Sequence, residues 1–405
     1  MGNIKIQTLK GFRDFLPKEV KKRQWLIEKL KSVFESYGFE PLETPALEYA
    51  ELLKGKYGEE EKLIYEFETK GKDEVALRYD QTVPLSRVIT QYQNELVFPF
   101  KRYQIQPVWR GENPQKGRYR EFIQCDADII GSSSPIADAE VLKLALDIYE
   151  KLGLSVTIKI NDRKNFENLE KKYVSAIDKL EKIGESAVLS EMIDKGMESG
   201  DARKALEEMQ NKPQTSDIQE IIKILEQMGE GKNMVMYEST LARGLDYYTG
   251  MIFEVVADGS VGSLCSGGRW DKLIGTFSGR DLPAVGFGLG FDRTLEVLEE
   301  KNLLPDNLTQ TKVLVTIFSK ELKDKSLEVY KKLKEANIAC EIYLDENAPL
   351  DKQLKYADKK KIPYSIIVGP KEVSENKVTV KDMKTGEQKT VKLDELKGVL
   401  TYFTS

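Results

Sequence analysis

Histidine is absent from all 405 residues of the chain. That absence excludes every mechanism built on an imidazole: a Ser-His-Asp triad, a Cys-His pair, a zinc site with paired histidines, and an imidazole general base. Catalysis must therefore come from carboxylates, arginines, lysines, backbone amides or a bound metal. Cysteine is nearly as scarce. Cys125, Cys265 and Cys340 lie far apart and form no Cys-x-x-Cys pair, which argues against a disulfide framework or a four-cysteine zinc site. Long apolar runs are missing too. No stretch approaches a membrane span and the opening residues carry no signal-peptide core, so a cytoplasmic protein without a membrane partner is expected.

What is present describes a globular protein: 40% hydrophobic and 32% charged residues. The length exceeds one ordinary core, so two or three domains are expected. The net charge of −5 argues against indiscriminate nucleic-acid binding, although a local basic surface on an acidic protein suffices for RNA.

Periodicity predicts a helix over 17–37, with Pro17 at its first position, Leu26, Leu30, Val33, Phe34 and Tyr37 at helical spacing, and Gly38 as the stop. Residues 101–110 and 120 to about 130 alternate and predict a hairpin with a long charged tip. Met251–Ala257 reads as an apolar strand, and 285–298 runs from glycine-rich backbone into a helix. Residues 164 to 235 are rich in Lys, Glu, Asp and Met with helical periodicity. They read as an insertion within one catalytic domain, either a plain solvated subdomain or a binding element. After a plausible linker at 305–311, strands at 312–318, 339–344 and 364–369 alternate with helices at 320–335 and 349–360. A hairpin around Lys384-Thr385-Gly386 and a terminal helix complete a compact α/β domain.

The hairpin concentrates Arg110, Glu112, Arg118, Arg120, Gln124, Asp126 and Asp128. Strand alternation puts Gln124, Asp126 and Asp128 on one face. A solvated sheet can carry such charges, but Arg243 in LARGLDYYTG and Arg293 in GFGLGFDR add arginines beside glycine-rich backbone. A planar guanidinium there suits phosphate oxygens. Cys125, Trp25 and Trp109 read as packing residues.

Longer blocks carry a resemblance. GFEPLETPALE (38–48), FKRYQIQPVWRGENPQKGRYREF (100–122) and PAVGFGLGFDR (283–293) resemble motifs 1, 2 and 3 of the class II aminoacyl-tRNA synthetases. LARGLDYYTGMIFE (241–254), LCSGGRWDKL (264–273), KGFRDFLP and LRYDQTVPLSR (77–87) are similar to the histidyl branch. The C-terminal pieces LKYADKKKIPYSIIVGP and KVTVKDMKTGEQ resemble the anticodon-binding domain shared with the prolyl, threonyl and glycyl enzymes.

The resemblance implies an α+β fold: a class II antiparallel sheet flanked by helices, a helical insertion, and a C-terminal α/β anticodon-binding domain. The expected division is 1–163 and 236–304 for the catalytic domain, 164–235 for the insertion and 311–405 for the anticodon-binding domain. It implies activation of L-histidine with ATP and Mg2+, and transfer to tRNA(His) by a homodimer; metal ligands are unassigned. Arg110 and Arg243 would be catalytic. Arg110 would bind the α-phosphate and the substrate carboxylate, and Arg243 would bridge them. Glu112 would receive the adenine amino group, and Arg118 and Arg293 would hold the outer phosphates. Asp80, Thr82 and Gln124 would hold the ammonium group, with Gln81 and Tyr247 in the same pocket. Asp128 and Tyr248 would pair with the two imidazole nitrogens. Gln115 would lie near the tRNA acceptor end. Asn113, Ile123 and Trp270 depart from the usual family residues.

Two other readings predict different chemistry. A histidine-sensing regulatory subunit of ATP phosphoribosyltransferase keeps the pocket, but typically lacks the C-terminal domain and intact catalytic arginines that this chain has. A prolyl or threonyl enzyme is disfavoured by LARGLDYYTG.

Overall fold

In the computed structural model, residues 6–114, 119–230, 234–242, 247–259, 262–396 and 398 are described. The chain divides into two compact units, Met1–Leu304 and Pro305–Ser405.

The first unit is organised by an eight-stranded sheet. In spatial order its strands are Glu40–Pro41, Phe100–Trp109, Glu121–Ile130, Ala284–Gly290, Cys265–Arg269, Met251–Ala257, Val156–Asp162 and Val235–Tyr237. Only the pairings at the two ends are parallel; the five between them are antiparallel. The expected hairpin is therefore near the middle of a continuous sheet. The glycine-rich segment is itself a full strand, Ala284–Gly290, before the chain enters the helix Phe291–Glu300. Its apolar residues Val285, Phe287 and Leu289 alternate with glycines rather than with polar residues, and glycine is depleted in strands, which weakens the strand signal.

One residue in two along these strands faces the core. Cys125, Ala127 and Ile129 of one strand, and Val285, Phe287 and Leu289 of the next, join a single apolar cluster with Leu26, Leu30 and Phe34. Those three come from the helix Pro17–Ser36, which starts on its expected proline and stops before Gly38 at φ +73°. The positive φ there costs glycine little and other residues more. Helices Pro135–Lys151 and Ser216–Gln227 close the same cluster through Leu142, Ala145, Tyr149, Ile218, Ile221 and Leu225.

Residues expected as a helical insertion are helical, but not of one kind. Lys171–Ile177, Glu185–Asp194 and Ser199–Gln210 bury a core of their own around Val174, Val188, Met192 and Leu206. Ser216–Gln227 instead packs on the main core, and the stretch ends in the edge strand Val235–Tyr237. A three-stranded antiparallel sheet, Leu47–Tyr49, Glu74–Leu77 and Glu66–Glu68, precedes the helix Thr82–Tyr92.

In the second unit, Cys340–Ile342, Val313–Val315 and Tyr364–Ile367 run parallel, and the hairpin Lys377–Asp382 with Gln388–Lys392 extends the sheet antiparallel. Helices Lys323–Glu335 and Leu350–Lys360 match their expected spans closely. A short helix at Pro370–Ser374 was not expected, and the expected terminal helix lies largely outside the described residues.

Phe34 is fully buried and stacks on Tyr103 with ring centroids 5.1 Å apart. Phe34→Ala should therefore lower the unfolding free energy of the first unit by about 3–5 kcal/mol in urea denaturation. Ile136→Ala, at a side chain 56% exposed, should change it by no more than about 0.5 kcal/mol.

Candidate active site

The even-numbered residues of the hairpin face away from the core. Register sets Arg102 opposite Asp128, Gln104 opposite Asp126, and Gln106 opposite Gln124. On the other side of Glu121–Ile130 the same residues meet glycines: Gly286 opposite Asp128, Gly288 opposite Asp126, and Gly290 opposite Gln124. Bare backbone there makes room for the carboxylates. A Cβ at Gly286 would sit 2.0 Å from Asp128 Oδ1 and 2.5 Å from the Ala127 carbonyl. Above this row opens a cleft of about 590 Å3.

Asp80, Thr82, Arg110, Glu112, Gln124, Asp128, Tyr247, Tyr248 and Arg293 all line that cleft. The structure thus brings together residues from segments more than 200 positions apart. Gln81 does not line it. Its side chain is fully buried, and its amide donates to the backbone carbonyls of Gln106 and Gln124 at 3.0 Å each. Gln115, Arg118 and Arg243 lie outside the described residues. Arg120 serves the framework: Nε donates to the Glu112 carbonyl at 3.0 Å, and Nη1 to that of Lys10 at 3.3 Å. Cys125 faces the core, where burial pushes its thiol pKa well up.

The inner end of the cleft is acidic. Tyr57 donates its hydroxyl to Asp80 Oδ1 at 2.8 Å, and the Val83 amide donates to the same oxygen at 3.2 Å. Gln124 Nε2 donates to Asp126 Oδ2 at 2.8 Å, and the Trp270 indole hydrogen-bonds Asp128. Burial raises all three carboxyl pKa values: Asp80 upward, Asp126 to about 7 and Asp128 to about 6. The Arg102 guanidinium opposes the rise at Asp126 and Asp128, while the neighbouring carboxylates reinforce it. Asp126 Oδ1 is buried without a hydrogen-bond partner among the described residues, which leaves an acceptor available to an N–H donor.

The cleft's arginines, Arg110 and Arg293, stand in its outer part beside Glu60, Glu112 and Asp292. Arg110 Nε donates to the Tyr79 carbonyl at 3.2 Å and Nη2 to Gln124 Oε1 at 3.4 Å, and its guanidinium lies 4.5 Å from the Tyr79 ring and 5.1 Å from that of Phe122. These contacts restrain the fork. Arg293 lies in the first turn of Phe291–Glu300, whose amino end borders the cleft. Helix dipole and guanidinium both favour an anion there. Asp292 is anchored by Arg13 at 3.2 Å and Arg23 at 2.5 Å, tying the amino-terminal segment to that turn.

The arrangement accommodates a small molecule bearing N–H groups at its inner end and phosphates at its outer end. Among the described residues no three Cys, Asp or Glu side chains gather into a metal-holding cluster. Sequence reasoning missed Arg102, Tyr57 and Tyr79. Arg102 was within reach, since it shares the alternation phase of Gln104 and Gln106 in KRYQIQ. Tyr57 sits in an irregular stretch that carries no periodic signal.

Asp126 holds a proton up to about pH 7 when folded, against an ordinary pKa of 3.8. Between those values the folded state binds the extra proton, so this residue's effect is a stability that falls as pH rises toward about 7. Asp126→Asn should therefore gain stability over the parent progressively from pH 5 to pH 8, with the two converging near pH 4, in thermal melts without ligand.

Comparison with known proteins gives a consistent result. A family model described as histidyl-tRNA synthetase matches residues 11–170 and 159–294, and one described as an anticodon binding domain matches 312–401. The histidine–tRNA ligase of Christiangramia forsetii is 40% identical, spanning 96% of this chain and 98% of its own length. That of Flavobacterium johnsoniae is 39% identical, with coverage of 96% and 98%. The crystal structure of histidyl-tRNA synthetase from Nostoc sp. PCC 7120 superposes with a TM-score of 0.86 at 32% identity, covering 98% of this chain and 99% of that one.

Proposed function

Because the chain belongs to the histidyl-tRNA synthetase family, we propose that its cleft joins L-histidine to ATP and then passes the histidyl group to tRNA(His). The protein is a histidine–tRNA ligase. In the first step the histidine carboxylate attacks the α-phosphorus, pyrophosphate leaves, and histidyl-adenylate forms. In the second, a hydroxyl of the terminal ribose of the tRNA attacks the carbonyl and AMP leaves.

The observation that carries the assignment of the cleft is its polarity: buried carboxylates at the inner end and arginines at the outer end. Histidine would enter with its imidazole toward Asp128 and Tyr248, and its ammonium toward Asp80, Thr82 and Gln124. ATP would lie outward, its adenine amino group at Glu112 and its phosphates at Arg110, Arg118 and Arg293. Arg110 and Arg243 would draw two anions together and stabilise charge on the pentacoordinate phosphorus, which is work of positioning and electrostatics. A buried carboxylate left unpaired by an apolar isostere supplies specificity.

Mg2+ would arrive on the ATP phosphates. Residues 311–405 would read the anticodon loop through exposed bases, and Gln115 would approach the acceptor end. The working form would be a cytoplasmic homodimer. Among the described residues no helix is long and apolar enough to cross a membrane.

The test is ATP–pyrophosphate exchange with each amino acid in turn. Exchange should occur with histidine alone. Arg110→Ala and Arg243→Ala should each lower kcat by about 100-fold or more, the usual effect of removing one preorganised donor. Exchange with another amino acid, or undiminished exchange in both variants, would overturn the assignment.

A further inference from the structure

Beneath the cleft, and absent from its lining, Arg102 is 0% exposed and pairs with Asp128 at 2.5 Å across the hairpin. Its Nη1 also donates to Gln104 Oε1 at 3.3 Å, while Nε is buried without a partner among the described residues. A fully buried guanidinium with an unfilled donor is costly, and a plain core contact would not require one. What distinguishes this position is the charge around it. Asp128, Asp126 and Asp80 are all buried, and each is influenced by Arg102. Among the described residues of the other packed segments, the Trp270 indole hydrogen-bonds Asp128, Gly286 lies opposite it, and the Asp80 carboxylate adds like charge, while Tyr247 and Tyr248 line the same cleft. Arg110, on the cleft wall, is bonded instead to the Tyr79 carbonyl and to Gln124 Oε1.

Without Arg102, crowded buried carboxylates would relieve their repulsion by taking up protons. A protonated carboxyl presents an O–H donor where an acceptor is wanted. Such a pocket would stop favouring an imidazole N–H and begin to favour a bare ring nitrogen.

We propose that Arg102 is the positioning residue that keeps Asp128 an ionised acceptor, and thereby fixes which ring nitrogen of the bound imidazole carries the proton. This rests on the reading that histidine occupies the cleft with its ring toward Asp128.

The chain's lack of histidine provides the test. With 15N-labelled L-histidine as ligand, every imidazole signal in an NMR sample belongs to the ligand, free or bound. The unaltered protein should bind histidine with one ring N–H retained across the neutral range. In Arg102→Leu the pH below which affinity falls should move up by about one to three units, the shift an adjacent opposite charge produces. Because free histidine titrates identically in both experiments, the difference between proteins isolates the pocket. Arg102→Lys, which keeps the charge and offers a second chance of a folded variant, should shift less than Arg102→Leu. Should affinity weaken by the same factor at every pH in both variants, with the bound tautomer unchanged, Arg102 is only structural and the proposal fails. Should the unaltered protein show no bound imidazole signal, the reading of the cleft fails and the proposal with it.

Discussion

Every feature of the cleft depends on a strand that must serve two environments at once. Along Glu121–Ile130 the side chains of Cys125, Ala127 and Ile129 go into an apolar core, while Gln124, Asp126 and Asp128 go to the opposite face. The two sets are inseparable, because slipping the register by one residue would place carboxylates against Phe34 and Phe287. The helix Pro17–Ser36 and its partners therefore do more than stabilise a domain. By holding the odd residues in place they hold the even ones to the cleft.

Placing carboxylates in the middle of a sheet has a cost, and the neighbouring strands offset it in different ways. Phe100–Trp109 supplies Arg102, a counter-charge in register with Asp128. Ala284–Gly290 supplies glycines, which contribute no charge but leave the volume a side chain would take. The remaining imbalance is visible in the raised pKa values of Asp126 and Asp128. Buried acceptors of this kind, Asp126 Oδ1 among them, suit N–H donors.

Buried polar structure also ties distant segments to this frame. Arg78, 2% exposed, donates to the carbonyls of Pro107 and Thr44 at 2.8 and 2.6 Å and to Gln106 Oε1 at 2.9 Å. Those bonds lock the segment carrying Asp80 and Thr82 against the hairpin. Gln81 adds two more, to the backbones of Gln106 and Gln124. Residues that would touch ligand are thus interleaved with residues that only hold them, which is why adjacent members of LRYDQT differ so much in role.

Much of this was legible in the chain alone. The hairpin, the first helix, the carboxylate face and the alternating second unit follow from local periodicity, which depends on side-chain geometry within a few residues. The absence of histidine dictated carboxylates and arginines as the chemistry. Three things needed the tertiary structure. The glycines that alternate with Val285, Phe287 and Leu289 read locally as flexible backbone, and only the pairing with Glu121–Ile130 shows that they make room for Asp128. Gln81 lies between two cleft residues in sequence, and only the packing turns it away. Arg102 reads as one more basic residue on a strand, and its significance depends on a cross-strand register that brings its charge to a buried acid. Local pattern determines which face a residue occupies; what that face meets is decided by strands that arrive from elsewhere in the chain.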